Sequence, residues 1–529
     1  MAENKPVKAA ALFSGAFRLI VAFLSVLPMN VNSQVRTHTQ SNKSPDTANH
    51  DRERLERFEK QAEELRALLK IPGMSAVIIK DQKVLWAKGF GYADFEKQIP
   101  ATPDTLYHIA SLTKTLAATV IMQLVEQGKL DLDEPVSRYA SDFKDDQVKI
   151  KHLLSHTSEG TPGERYQYNG NRYDYLTAVI EKVTGKSFRE LIVKIFLDPL
   201  QMSGSVPGHD VPDETNQWSG LLGKENLNRY EKNLAKLAQP YTLYGGREII
   251  PVPYPPRGIG AAAGLLSTVM DMAKYDAAID RHVFLKKETQ EKAWTPFVSN
   301  SGQALPHGLG WFVENYHGLK LIWHFGHWGT GFSATYLKVP EKNLSLILLA
   351  NSEALSDPFY ATGGIETNVF ACTFLRLFVF EDLQGRLLPD PHWAQNTQEF
   401  SSELTRLNKP SKGYAYDCER VSHSAMMKWL DERRARARTP IKLDPKILEA
   451  YAGQYELNPK RIFTISKEGG RLMIDIPKSN KSEMFPESET NFFLKVVNVQ
   501  LRFIKDEKGQ VTYLEIGANG QNLRAKKIK

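Results

Sequence analysis

The order in which apolar patterning changes along the chain constrains its fold most. Strand-type runs come first, at residues 76–79 and 84–87, with Asp81-Gln82-Lys83 between them as a hairpin signal. Helical spacing then takes over. Leu116, Val120, Ile121, Leu124 and Val125 form one apolar stripe on a helix that opens near Ser111 and meets a C-cap at Gly128. Helical stretches follow at 173–183, ending at Thr184-Gly185, and at 265–279. Strands return at 333–339 and 344–350, around Pro340-Glu341-Lys342-Asn343. Strands first, helices in the middle and strands last predict one α+β domain whose sheet is closed by both ends of the segment.

Sequence character changes outside that segment. Lys5 and Lys8 precede an apolar stretch densest over 19–29, and Val31-Asn32-Ser33 suits cleavage after Ser33. Residues 1–33 are therefore expected to be an export signal, and the polar residues 34–50 a flexible leader. The apolar stretch is too short to cross a bilayer, so no stable membrane span is expected after cleavage. The product is expected to be periplasmic or secreted. Helical spacing runs over 51–70 until Ile71-Pro72-Gly73 stops it.

The α+β domain is assigned to residues 51–386. Residues 387–442, rich in Pro, Asn, Ser and charge, read as a linker, and the run Arg433-Arg434-Ala435-Arg436-Ala437-Arg438 as a solvated helix face. Short strands at 463–466, 472–476, 492–497, 501–504 and 511–516 make 443–529 a small β-barrel or sandwich. The charge balance is mild, 68 Lys and Arg against 61 Asp and Glu in 529 residues, and no basic cluster is interleaved with aromatics. No nucleic-acid partner is expected. Two cysteines, Cys372 and Cys418, cannot build a disulfide framework, and neither has zinc-ligand spacing; whether they pair is left open.

The chemistry starts at Ser111-Leu112-Thr113-Lys114. Residues three apart share a helix face, so a lysine amine there reaches the serine hydroxyl. If burial lowers the amine's pKa, it can take the hydroxyl proton. Ser141-Asp142-Phe143-Lys144 has the same spacing but lies in a polar run, whereas Ser111 opens an amphipathic helix.

With its start Ile109-Ala110-Ser111-Leu112-Thr113-Lys114, this helix resembles the active-site helix of the serine β-lactamase and penicillin-binding-protein family. The class C β-lactamase-like branch, which includes D-aminopeptidases, DD-carboxypeptidases and esterases, is the nearer likeness. Further stretches match in order: Lys151-His152-Leu153-Leu154-Ser155-His156-Thr157-Ser158, then Pro162 to Tyr168, Ala262 to Thr268, and Gly326-His327-Trp328-Gly329. The resemblance implies an antiparallel sheet flanked by helices and an acyl-enzyme mechanism that needs no metal or cofactor. It implies Ser111 as nucleophile, Lys114 as general base and Tyr168 as the second proton carrier, a role that needs nearby positive charge. It implies that His327 and Gly329 line an edge strand against a small-molecule or short-peptide substrate. The backbone N–H groups of Ser111 and Thr330 are implied to form the oxyanion hole. His108 and His156 are read as structural.

In one place the chain departs from the family pattern. The second motif is Tyr-X-Asn, and in register this chain has Tyr168-Asn169-Gly170, with Asn169 or Asn171 the candidate substitute for the missing amide. Glu159 also stands where the family usually has Gly. The departure weighs against β-lactamase and peptidoglycan-type activity more than against ester-directed acyl transfer, and it motivates a non-catalytic sensor or scaffold as a rival. The last segment, with Leu443-Asp444-Pro445, Tyr451-Ala452-Gly453-Gln454-Tyr455-Glu456, Phe485-Pro486-Glu487-Ser488 and Phe492-Phe493, resembles the lipocalin-like barrel appended to some peptidases of this family. In those relatives it assembles homo-oligomers or shapes access to the site.

Overall fold

In the computed structural model the described residues are 45–211, 222–255, 258–356, 364–381, 415–459, 461–476, 481–518 and 521–529. The expected export signal, most of the leader and residues 382–414 lie outside them. Helix α1 (Pro45–Leu68) begins six residues before the expected 51. It is followed by strands β1 (Gly73–Lys80), β2 (Lys83–Asp94) and β3 (Ile99–Pro100). The β1–β2 turn is tighter than expected. Asp81 and Gln82 alone make it, both at positive φ (51° and 63°), the geometry that matches the strands' own twist.

The middle of the segment supplies the ribbons β4 (Tyr107–His108), β5 (Tyr241–Tyr244), β6 (Glu248–Pro251) and β7 (Leu266–Ser267), and the buried helix α2 (Thr113–Glu126). Where one helix was expected over 265–279, β7 precedes a helix at Val269–Asp280, capped by the Thr268 hydroxyl accepting from Asp271 N. Strands β8 (Phe312–Tyr316), β9 (Leu319–Trp328), β10 (Phe332–Val339) and β11 (Leu344–Ala350) complete the main sheet, ordered β3-β2-β1-β11-β10-β9-β8. Every pairing in it is antiparallel, and β1 lies against β11, with Val77 opposite Ile347.

Both faces of this sheet are covered, so β1 reads as a continuous apolar run rather than an alternating one. The alternation reappears in what each residue touches. Val77 and Ile79 join the core around α2. Met74, Ala76 and Ile78 join a second core with Phe58 and Leu65 of α1, the helix Val369–Phe374, and Met426, Trp429 and Leu430.

Those last residues correct the linker expectation. Residues Ala415–Ala435 form a helix whose apolar positions 426, 429 and 430 recur at helical spacing and bury against the sheet. Its many charged neighbours hid that stripe. Cys418 on this helix is disulfide-bonded to Cys372, with a Cα–Cα distance of 5.8 Å.

The barrel is closed, with eight sequential antiparallel strands: β12 (Gly453–Asn458), β13 (Arg461–Glu468), β14 (Arg471–Asp475), β15 (Ser482–Pro486), β16 (Asn491–Phe493), β17 (Val499–Lys505), β18 (Val511–Ala518) and β19 (Gln521–Lys527). Tyr455 opposite Lys527 closes it. Its interior is filled by Tyr451, Tyr455, Phe463, Phe492, Phe503 and aliphatic neighbours, as in other small barrels. Among the described residues no helix is long and apolar enough to cross a membrane.

Candidate active site

Ser111 is held by the backbone on both sides. Before it, β4 pairs with β7, and Ile109 N donates to Leu265 O at 3.0 Å. Ala110 then takes a positive φ of 48°, strained for a residue with a Cβ. Its N–H donates to His108 Nδ1 at 3.1 Å, and burial keeps that imidazole neutral, down to about 3. His108 is thus a structural brace, as expected. After it, Thr113 Oγ1 donates to Ala110 O at 2.8 Å, closing the tight turn into α2. Gly326 on β9 permits the same segment to sit against the sheet, because a Cβ there would lie 2.3 Å from Ile109 O.

Lys114 is 1% exposed and its Nζ lies 3.0 Å from Ser111 Oγ. It donates to Ala262 O at 2.8 Å. The 260–265 loop is fastened for that purpose: Ala261 N donates to Thr177 Oγ1, Ala262 N to Asp174 Oδ1, and Leu265 N to Thr113 Oγ1. Burial pushes the Lys114 amine down to about 7 from 10.5, with the Asp174 carboxylate opposing. Near neutral pH a large share of the amine therefore has a lone pair facing a hydroxyl, the requirement for general-base activation.

Tyr168 is brought to the same place, with Lys114 Nζ 5.3 Å from its ring centre and 5.2 Å from that of Tyr173. His156 clamps Tyr168. Its ring stacks on Tyr168 at 4.2 Å, its carbonyl accepts from Gln167 N, and its Nδ1 accepts from Asn169 N. With Nδ1 accepting, the proton sits on Nε2. Burial holds this ring, and those of His307 and His324 beneath it, below the usual histidine range. Sequence reasoning assigned nothing to His307 or His324, which carry no local motif.

Asn169 is placed differently from the expectation. It caps the short helix Gly170–Tyr173, its Oδ1 accepting from Arg172 N at 3.0 Å, while its Nδ2 donates to Glu159. The side chain is engaged there and is not brought to Lys114. Position 170 is the one that faces the amine: a Cβ on Gly170 would stand 3.7 Å from Lys114 Nζ.

His327, Gly329 and Thr330 lie where β9 turns into β10, at the surface beside the serine turn. The expected edge strand is only half an edge. β8 pairs with residues 319–323 of β9, and among the described residues no strand pairs with the same side of 324–328. The exposed half carries the Gly326-His327-Trp328-Gly329 motif.

Comparison with known proteins gives the family. The family model described as Beta-lactamase matches residues 58–366, more than half of the chain. The chain belongs to the Beta-lactamase family. A second model, a domain of unknown function termed DUF3471, matches residues 437–527, the barrel. Among curated relatives of this β-lactamase-family chain is "Penicillin-binding protein 4*" of Bacillus subtilis (strain 168), 23% identical over 84% of this chain and 93% of its own length. "Protein flp" of Staphylococcus aureus (strain MW2) is 27% identical over 53% of this chain and 60% of its own. Among solved structures, the octameric penicillin-binding protein homologue from Pyrococcus abyssi covers 89% of this chain and 99% of its own, at 24% identity and a TM-score of 0.48.

Proposed function

We propose that this protein is an exported serine hydrolase that acts on small amide or ester substrates through an acyl-Ser111 intermediate, with D-amino-acid peptides the first amide class to test. The observation that carries the proposal is the buried Lys114 amine, lowered to about 7 and 3.0 Å from Ser111 Oγ. Lys114 takes the Oγ proton as Oγ attacks the substrate carbonyl carbon. The N–H groups of Ser111 and Thr330 receive the oxyanion. As the C–N or C–O bond breaks, the proton passes by way of Tyr168 to the leaving group. Water then attacks the acyl-serine by the reverse relay and frees the acid. His327 and Gly329 align the substrate along the open half of β9. Export fits the Cys372–Cys418 disulfide, since such bonds persist in oxidising compartments.

Gly170 favours a second reading, a protein that acylates but does not turn over, because the position facing Lys114 lacks the amide the family's motif carries there. Incubation with a fluorescent penicillin and a fluorophosphonate, read by intact mass with Ser111→Ala as control, tests both. Expected is a fluorophosphonate adduct on Ser111, lost in the variant, and ester turnover beyond one equivalent. A stable adduct with no turnover moves the protein to the sensor reading. An adduct that persists in Ser111→Ala overturns the site.

A further inference from the structure

A cavity of about 840 Å³ opens between the turn at His327–Thr330 and the barrel. The barrel contributes Ile476, Ser482 and the segment from Phe493 to Val499, so the last domain walls a cavity that meets the proposed site at His327, Gly329 and Thr330. The two parts are joined there by specific contacts. Arg438 N donates to Tyr244 Oη at 2.8 Å, Phe493 stacks on Tyr244, and Lys495 pairs with Glu248 at 2.9 Å.

Four cations, Arg433, Arg436, Arg438 and Lys495, line this cavity, and among the described residues none of its lining is acidic. Each cation has an anchor outside the lining. Glu353, fully buried, holds Arg433 at 2.8 Å; Glu487 stands 3.3 Å from Arg438; Glu432 stands 3.6 Å from Arg436, one helical turn back. Aromatic faces set the directions further, with Arg433 over Trp429, Arg438 over Phe493 and Lys495 over Tyr244. Arg436 and Lys495 are partnered by solvent-exposed carboxylates, whose pairing is weak and screened, and Arg438 by the exposed Glu487 and by the Gln500 side-chain oxygen, which accepts from its guanidinium at 3.1 Å. The cations are thus positioned without being neutralised towards the cavity. A guanidinium fork fixed like that of Arg438 suits a planar carboxylate, and the more exposed Arg436 adds a second fork beside it.

We infer that this cavity is a subsite for a carboxylate on the substrate, selecting acidic peptides or acyl compounds, with Arg436 and Arg438 as its specificity-determining residues. The inference rests on the acyl-serine reading for the substrate's path, from Ser111 past Thr330 towards the barrel. The carboxylate is either an acidic side chain or a free chain terminus; both present the same group to the arginines.

Three dansylated D-Ala peptides separate the sources: one ending in D-Glu amide, one in D-Gln with a free terminus, and one in D-Gln amide, which has neither carboxylate. Binding to the full-length Ser111→Ala protein by fluorescence anisotropy reads the subsite without turnover. At least one acidic probe is expected to bind about fivefold more tightly than the neutral one, the upper end for a solvent-facing charge pair. The preferred acidic probe names the source. The preference is expected to fall towards unity at about 0.5 M salt and in Arg436→Gln/Arg438→Gln. Should that double variant lose its circular-dichroism signature, Arg436→Gln alone carries the test, its side chain being more than half exposed. Equal affinities, no binding of either acidic probe below about 1 mM, or a preference intact in the folded variant overturns the subsite. The wild-type fluorophosphonate adduct is read separately. An adduct without acid preference keeps the hydrolase and removes the subsite; acid preference without an adduct does the reverse.

Discussion

Replacing Asp174 by asparagine perturbs the proposed base without touching it. An amine titrating at 10.5 is neutral in roughly one molecule in three thousand at pH 7, whereas one at about 7 is neutral in about half. Burial therefore raises the available base about a thousandfold, and acylation should climb about tenfold per pH unit below 7 before levelling. Asp174 is the charge that holds Lys114 towards its ammonium form. In Asp174→Asn the new side chain keeps an oxygen to accept from Ala262 N and Thr177 Oγ1, so the loop presenting Ala262 O stays in place. With the charge gone, the amine loses its proton more readily and the rising limb moves to lower pH. Reactivity at pH 6 then exceeds that of the wild type. The second-order rate of fluorophosphonate inactivation between pH 5 and 9 measures this in both proteins, with circular dichroism confirming the fold. A wild-type limb centred above pH 9, or a variant limb unmoved or displaced upward, refutes the reasoning.

Gly170→Asn should act in the opposite direction. Its amide oxygen can accept from the nearby Lys114 ammonium, so the same limb shifts to higher pH. Gly326→Ala forces a methyl towards Ile109 O, which only a backbone shift relieves; a loss of about 1–3 kcal/mol in denaturant unfolding and at least a tenfold drop in acylation are expected. Wild-type stability in that variant would remove Gly326 as the fitting point of β9. Cys418→Ser opens a bond that closes a separation of 46 residues, and should cost about 2–4 kcal/mol while leaving far-ultraviolet circular dichroism near wild type.

The candidate serine and lysine were legible because the 111-to-114 spacing opens an amphipathic helix and stands in order with the other motifs, which the same spacing at 141–144 does not. The helix Ala415–Ala435 was not, because a few large apolar residues among many charges look like a solvated face until the sheet they cover is known. Barrel strands β12, β15 and β19 were also missed. β19, with Arg524, Lys526 and Lys527, buries only Ala525 among its described side chains, so its sequence carries little apolar signal. Asn169 shows another limit. A residue adjacent to a motif position is assigned by register, but the backbone turned it into a helix cap and aimed Gly170 at the amine. The cationic cavity needed two domains in contact, and no single stretch of sequence contains it.

The pairing of β1 with β11 also sets a schedule. β1 is among the first strands synthesised, yet its neighbour Leu344–Ala350 is the last of the seven. Closing so long an excursion is entropically slow, and it must wait for the downstream strand to emerge. Until then α2 has no completed sheet to lie on, so the buried surroundings of Lys114 are not yet assembled. Burial of the Lys114 amine, and with it the proposed activation of Ser111, therefore comes late, with the arrival of the final strand.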